Sequence, residues 1–193
     1  MGRIGHCRQH ILDAGIGVLS TKGYNGTGIK EIVDAAGVPK GSFYNHFASK
    51  EAFVVEAIEK EAKASIDWID NILSDATLTP KHRLLNFFDQ SHQFQQEQNF
   101  QGGCFIGNLC LEMSDENEAI RSATTGVMCK IISLISHCLA QAQQQGELTK
   151  SANPGELAEF MHCAWEGAIM RMKGQRSGQA YDVFRKQISA FFI

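Results

Sequence analysis

Apolar residues recur at helical spacing along almost the whole chain. Ile11, Leu12, Gly15, Val18 and Leu19 share one face of a helix over 6–22, which Gly23 ends after Lys22. A second helix starts at Thr27 or Gly28, carries Ile29, Ile32, Val33 and Ala36, and stops at Gly37. Thr27 is the better chemical cap, whereas Gly28 has the capping-box spacing to Glu31 without the hydroxyl. Past Val38, Pro39 fits the first position of a third helix that runs to about His46. Ser49 caps a fourth helix reaching Leu73, a rod of roughly 36 Å at ~1.5 Å per residue. Pro80 opens a fifth with Leu84, Leu85, Phe87, Phe88 and Phe94 inward, and the polar, Gly-containing stretch 97–103 breaks the pattern. Further helices follow from about Cys104 to Met113 and from Ser114 to about Gln145. Another opens at Asn153-Pro154, with Leu157, Phe160, Met161, Ala164, Trp165, Ala168, Ile169 and Met172 as its apolar positions, and the last carries Tyr181, Phe184, Ile188 and Phe191. No segment alternates as a strand would. The pattern predicts an all-α protein of about nine helices, with a three-helix head over 1–50 and a helical body over 51–193.

Charge divides the same way. Residues 1–50 hold six basic and three acidic side chains, a balance of +3, and the remainder sums to -6. A basic head on an acidic body points to an anionic partner for the head. The start of the chain, with Gly2, Arg3 and His6, lacks the apolar run of a secretory signal, and no apolar stretch approaches the ~18 residues of a membrane span. Six cysteines lie scattered at 7, 104, 110, 129, 138 and 163, which fits free thiols in a reducing cytoplasm. Cys129, Cys138 and Cys163 fall in apolar stripes and read as inert core. The pairs His137-Cys138 and His162-Cys163 diverge by about 100° on a helix and do not converge on one ion, so neither a metal nor another cofactor is expected.

Two short helices around a tight Gly-containing turn read as a helix-turn-helix. Residues 11–60 make the reading specific, through Ile11-Leu12-x-Ala14, Lys22-Gly23-Tyr24, Thr27, Ala35-Ala36-Gly37-Val38, Lys40-Gly41-Ser42-Phe43-Tyr44, His46-Phe47 and Ser49-Lys50-Glu51-Ala52. This run resembles the DNA-binding signature of the TetR family; Gly15, Gly17 and Gly28 depart from it. The resemblance implies a cytoplasmic homodimer that binds a near-palindromic double-stranded operator, with the second helix of the motif in the major groove. That helix offers Lys40, Gly41, Ser42, Tyr44, Asn45 and His46. Tyr44 and Lys50 suit phosphate oxygens, Gly41 permits close backbone approach, and Thr27 at a helix start positions another phosphate. Base readout falls to Lys40, Ser42 and Asn45. The stripes Leu157–Met172 and Tyr181–Phe191 are expected to supply a four-helix dimer bundle.

The body carries one distinctive stretch, Gly102-Gly103-Cys104-Phe105-Ile106-Gly107-Asn108-Leu109-Cys110-Leu111-Glu112-Met113-Ser114-Asp115. It is similar to a Gly-Cys-x-x-Gly-Asn-Leu pattern in the TetR subfamily that includes the N-ethylmaleimide reductase repressor and acrylate-responsive repressors, as is Trp165-Glu166-Gly167-Ala168…Lys173. A thiol at a helix start feels the helix dipole, which favours the reactive thiolate, so Cys104 is a candidate sensor of an electrophile or oxidant. The resemblance places Lys173 beside it. The alternative effector is a non-covalent small molecule in an apolar cavity lined by Phe88, Phe94, Phe105, Met128 and Trp165, with His92, Asn108 or Arg171 as polar anchors. A more distant alternative, an enzyme with Cys104 as nucleophile, lacks a neighbouring histidine in the sequence and leaves the head unexplained.

Overall fold

The computed structural model describes the backbone of residues 2–193 and the side chains from Cys7 onward; Arg3 and His6 lie outside those side chains. Among the described residues the regular structure is nine helices: α1 (Gly2–Lys22), α2 (Ile29–Ala35), α3 (Lys40–Tyr44), α4 (Lys50–Leu73), α5 (Pro80–Glu97), α6 (Phe105–Met113), α7 (Glu118–Gln144), α8 (Pro154–Gln175) and α9 (Gln179–Ser189). No strand accompanies them beyond one isolated bridge between Leu148 and Phe192. The fold is all-α, as the periodicity predicts.

Helix ends follow local chemistry, with three shifts from expectation. Ser49 caps α4 by accepting from Ala52 N–H at 3.1 Å, and Asn153 caps α8 by accepting from Gly155 N–H at 3.0 Å. The cap of α2 is Gly28, not Thr27, with Glu31 accepting from Gly28 N–H at 2.8 Å. Pro39 stands one place earlier than expected, as the cap of α3 in extended conformation, and α3 ends at Tyr44. α7 begins at Glu118 because Asn117 accepts from Ile120 N–H at 3.0 Å.

The chain forms two compact units, residues 1–62 with 105–126, and residues 63–104 with 127–193. In the first, Phe43, Phe47 and Phe53 are almost wholly buried and pack with ring centroids 4.9–5.5 Å apart. Burying such a ring contributes ~1.5–3 kcal/mol, which holds helices too short to persist alone. Gly15, unfavourable to an isolated helix, has a packing reason: a Cβ there would sit 2.3 Å from the Phe53 Cζ.

The second unit packs Phe88 against Phe87, Trp165 and Phe184 at 4.7, 5.7 and 4.8 Å between centroids. Here most of the expected dimer stripes prove internal: Leu157, Met161, Trp165, Ala168, Ile169 and Met172 of α8, with Tyr181, Phe184 and Ile188 of α9, are buried in this core, whereas Phe160 and Phe191 are exposed. The outward face of α8 instead presents Phe160, Cys163, Gly167, Met170 and Gly174, spaced by threes and fours. Phe160 and Met170 are 52% and 62% exposed, as is 60% of Val183 on α9. Two thiols are likewise repositioned. Cys129 and Cys163 are exposed, and Cys138 alone of the three is buried, its thiol pushed up to about 11 by burial. Contrary to the sequence reading, α7 is long and apolar enough by length and composition to span a membrane. Its Ile135, Cys138, Leu139 and Ala142 instead pack into the core of the second unit.

Candidate nucleic-acid interface and effector site

The head presents its expected reading residues unequally. Lys40, Gly41, Tyr44 and Asn45 are exposed on or beside α3, with Tyr44 56% exposed, and Ser42 and His46 are half-buried. Phe43, between them, is fully buried, so one residue of α3 anchors the helix while its neighbours face outward. A Cβ on Gly41 would meet nothing within 4 Å, which leaves the backbone open to close approach.

Two residues do not join this surface. Thr27 is 1% exposed, and its hydroxyl donates to the Gly23 carbonyl at 2.7 Å, so it staples the α1–α2 turn rather than reaching a phosphate. Lys50 is half-buried, its ammonium donating to the Tyr24 carbonyl at 2.6 Å and standing 3.7 Å from the centre of the Tyr24 ring. Burial pushes the Lys50 pKa down against the opposing pull of Glu51, Glu112 and Glu31. Tyr24 in turn donates to Glu51 at 2.6 Å, and burial with that contact raises its hydroxyl to about 12. These groups lock the turn from within the protein. Nothing in the periodicity announces this, because the partners lie on α4.

In the other unit, Cys104 is half-buried, immediately ahead of α6 in the chain, after Gly102 and Gly103 at φ 78° and 81°. Its thiol is hydrogen-bonded to Glu166 of α8. Burial raises the Glu166 carboxyl above its ordinary range, with the Cys104 contact and the nearby His162 pulling the other way. His162 is 6% exposed. The sequence pattern places Glu166 in the Trp165–Lys173 stretch but gives it no role; an acid set into an apolar stripe is the one signal there. Lys173 follows Glu166 on α8 by two helical turns, on the same face, and is exposed.

The expected cavity residues fall in different places. Phe88, His92, Met128 and Trp165 belong to the second unit, and Phe105 and Asn108 to the first. Phe88 and Trp165 spend their faces on each other and on Phe184. His92 stacks on Tyr181 at 4.0 Å with its Nδ1 buried and lacking a hydrogen-bond partner, and burial lowers its pKa. Phe94 and Arg171 point to solvent. Among the described residues, no cluster of three or more histidine, cysteine or acidic side chains is arranged to hold a metal ion.

Comparison with known proteins decides the family. Residues 11–57 match the bacterial regulatory proteins of the tetR family, and residues 80–188 match the tetracyclin repressor-like C-terminal domain. The chain belongs to the TetR family. The repressor DhaR of Mycobacterium sp. strain GP1 is 34% identical over 92% of this chain and 87% of its own. The crystal structure of a regulatory protein TetR from Rhodobacter sphaeroides superposes with a TM-score of 0.90 at 33% identity, over 96% of this chain and 98% of that one. The reduced form of Escherichia coli NemR superposes at 0.88, with 28% identity over 97% of both chains. The helix-turn-helix and the all-helical body are therefore those of a TetR-family transcriptional regulator.

Proposed function

We propose that this chain is a cytoplasmic, homodimeric, operator-binding repressor, released when a small electrophile or oxidant modifies Cys104. Its relatives DhaR and NemR are named transcriptional repressors, and regulators of this family bind operators as dimers. Lys40, Gly41, Ser42, Tyr44, Asn45 and His46 form the DNA-facing surface, with Tyr44 on phosphates and Lys40, Ser42 and Asn45 toward base edges. The second copy covers the outward stripe Phe160, Cys163, Gly167, Met170 and Gly174 of α8 together with Val183 of α9. These residues are apolar or small and stay exposed or half-exposed in the single chain, where Phe160 packs only edge-on against the partly exposed Phe191, 5.8 Å between ring centroids.

The observation that carries the effector reading is the hydrogen bond between Cys104 and Glu166. A thiol reacts as thiolate, and a carboxylate with a raised pKa is suited to take its proton. An oxidant such as a peroxide then gives the sulfenic acid and releases its leaving oxygen as hydroxide or alkoxide. Lys173, on the Glu166 face of α8, is assigned as the amine that captures this sulfur with loss of water.

The protein acts as a regulator and not as an enzyme, so modification should be stoichiometric and without turnover. Operator anisotropy before and after a mild electrophile, for wild type and Cys104→Ser, tests the reading. We expect release of the wild type and retention of the variant, with affinity falling steeply with salt as phosphate contacts are replaced by ions. Release of both would shift the effector to a non-covalent site. Met170→Glu is expected to yield monomers in sedimentation and to lose the operator.

A further inference from the structure

α6 is apolar where it packs, and its polar end does something else. Ile106, Leu109 and Met113 are its buried residues, and Leu111 is 83% exposed. Glu112, in the last turn, reaches the α1–α2 turn of the head, where its Oε2 accepts the Asn25 N–H at 2.9 Å. Its other oxygen lies 2.1 Å from where a Gly23 Cβ would stand, and Gly23 has φ +71°. Glycine is thus needed there twice, for its backbone conformation and to admit the carboxylate. Lys50 holds the intervening Tyr24 carbonyl, and the Thr27 hydroxyl holds the Gly23 carbonyl. The turn leading into the helix-turn-helix is therefore clasped from α4 and from α6.

We infer that Glu112 is a positioning residue that ties α6 to the DNA-reading helices, so that a shift at the start of α6 is felt in the head. This rests on the reading that the effector acts at Cys104, the residue directly before α6. Nine residues at ~1.5 Å rise make a stiff rod of about 13 Å, and a carboxylate-to-amide hydrogen bond is directional enough to pass on its displacement.

The test uses full-length protein alkylated by N-ethylmaleimide, with peptide mass spectrometry locating the adduct. In that step the S–C bond forms as the maleimide C=C opens, and the thiol proton ends on the adjacent carbon. Operator affinity and amide exchange of residues 23–27 are measured before and after alkylation, in wild type, Glu112→Gln and Glu112→Ala. Alkylation should weaken operator binding about fivefold or more in wild type, at the lower end of known couplings. It should also deprotect residues 23–27. Glu112→Gln, which keeps an acceptor, should behave like wild type. Glu112→Ala should still bind the operator, exchange freely at 23–27 from the outset, and change affinity by less than about twofold on alkylation, below any such coupling. A Glu112→Ala protein that is released as fully as wild type overturns the inference. A wild type whose affinity ignores an adduct on Cys104 sinks the Cys104 reading instead. In that case equal protection of 23–27 in wild type and Glu112→Ala still overturns the role of Glu112, and unequal protection supports it.

Discussion

The two compact units use aromatic side chains to different ends. In the first, Phe43, Phe47 and Phe53 form a small dry cluster that pins α3, only five residues long, and leaves Lys40, Tyr44 and Asn45 outside. In the second, the aromatic cluster is interleaved with polar groups. Tyr181 donates to Asp89, Arg185 donates to the same carboxylate at 2.8 Å, and His92 stacks on Tyr181. Buried or half-buried Arg83, Gln95, His162 and Glu166 belong to the same unit. A dry core holds a fixed surface for reading DNA, whereas a core carrying titratable groups changes when its charge or covalent state changes. On the proposed function, the aromatic cluster of the first unit keeps the geometry of α3, and the second unit, through Cys104, takes the signal.

The sharpest way to break that comparison is Phe43→Ala. Removing a fully buried ring costs about 3–5 kcal/mol. Operator binding should vanish and amide protection over 11–57 should collapse, while protection in α8 persists. Equal loss in both units would show a single cooperative block.

A smaller effect comes from two neighbouring glycines with opposite expected signs. Gly15→Ala forces a methyl against Phe53 and should destabilise by about 1–3 kcal/mol as overpacking does. Gly17→Ala meets nothing and should stabilise α1 by roughly 0.5–1 kcal/mol. Thermal melting of the two variants checks both; a shared sign would show that the space around Phe53 does not govern the head.

The smallest expected effect concerns acid sensitivity of the second unit. Burial opposes ionisation of Asp89, but hydrogen bonds from Arg185 and Tyr181 outweigh it and hold the carboxyl below its ordinary range. A carboxyl lowered on folding stabilises above its unfolded value, ~3.9, and that stabilisation is lost as pH falls through the folded value. Urea unfolding of wild type and Asp89→Asn should therefore differ most near neutrality and converge below about pH 4. A constant difference across that range would remove Asp89 from the acid response.

Much of this was legible in the sequence because it is local. The turn glycines, the Ser49 and Asn153 caps, and the spacing over residues 11–60 all act within a few residues, and they led to the head and its exposed Lys40, Tyr44 and Asn45. The same rules misplaced Thr27, since a threonine at a helix start looks like a cap whether its hydroxyl turns outward or, as here, to the Gly23 carbonyl. They misplaced Lys50 because a lysine beside a basic motif reads as a phosphate ligand until its cation is found over the Tyr24 ring.

The sequence by itself determined the all-helical class, the order of the helices, the helix-turn-helix and the family, because helical periodicity and turn chemistry are set by residues within a turn or two of each other. Only the tertiary structure decided which stripe of α8 is core and which faces outward, which cysteines are shielded, and that Glu166 meets Cys104 and Glu112 meets Asn25. Those pairings join residues far apart in the chain, and they depend on how complete helices pack, a choice that a single helix's own pattern leaves open when more than one of its faces is apolar.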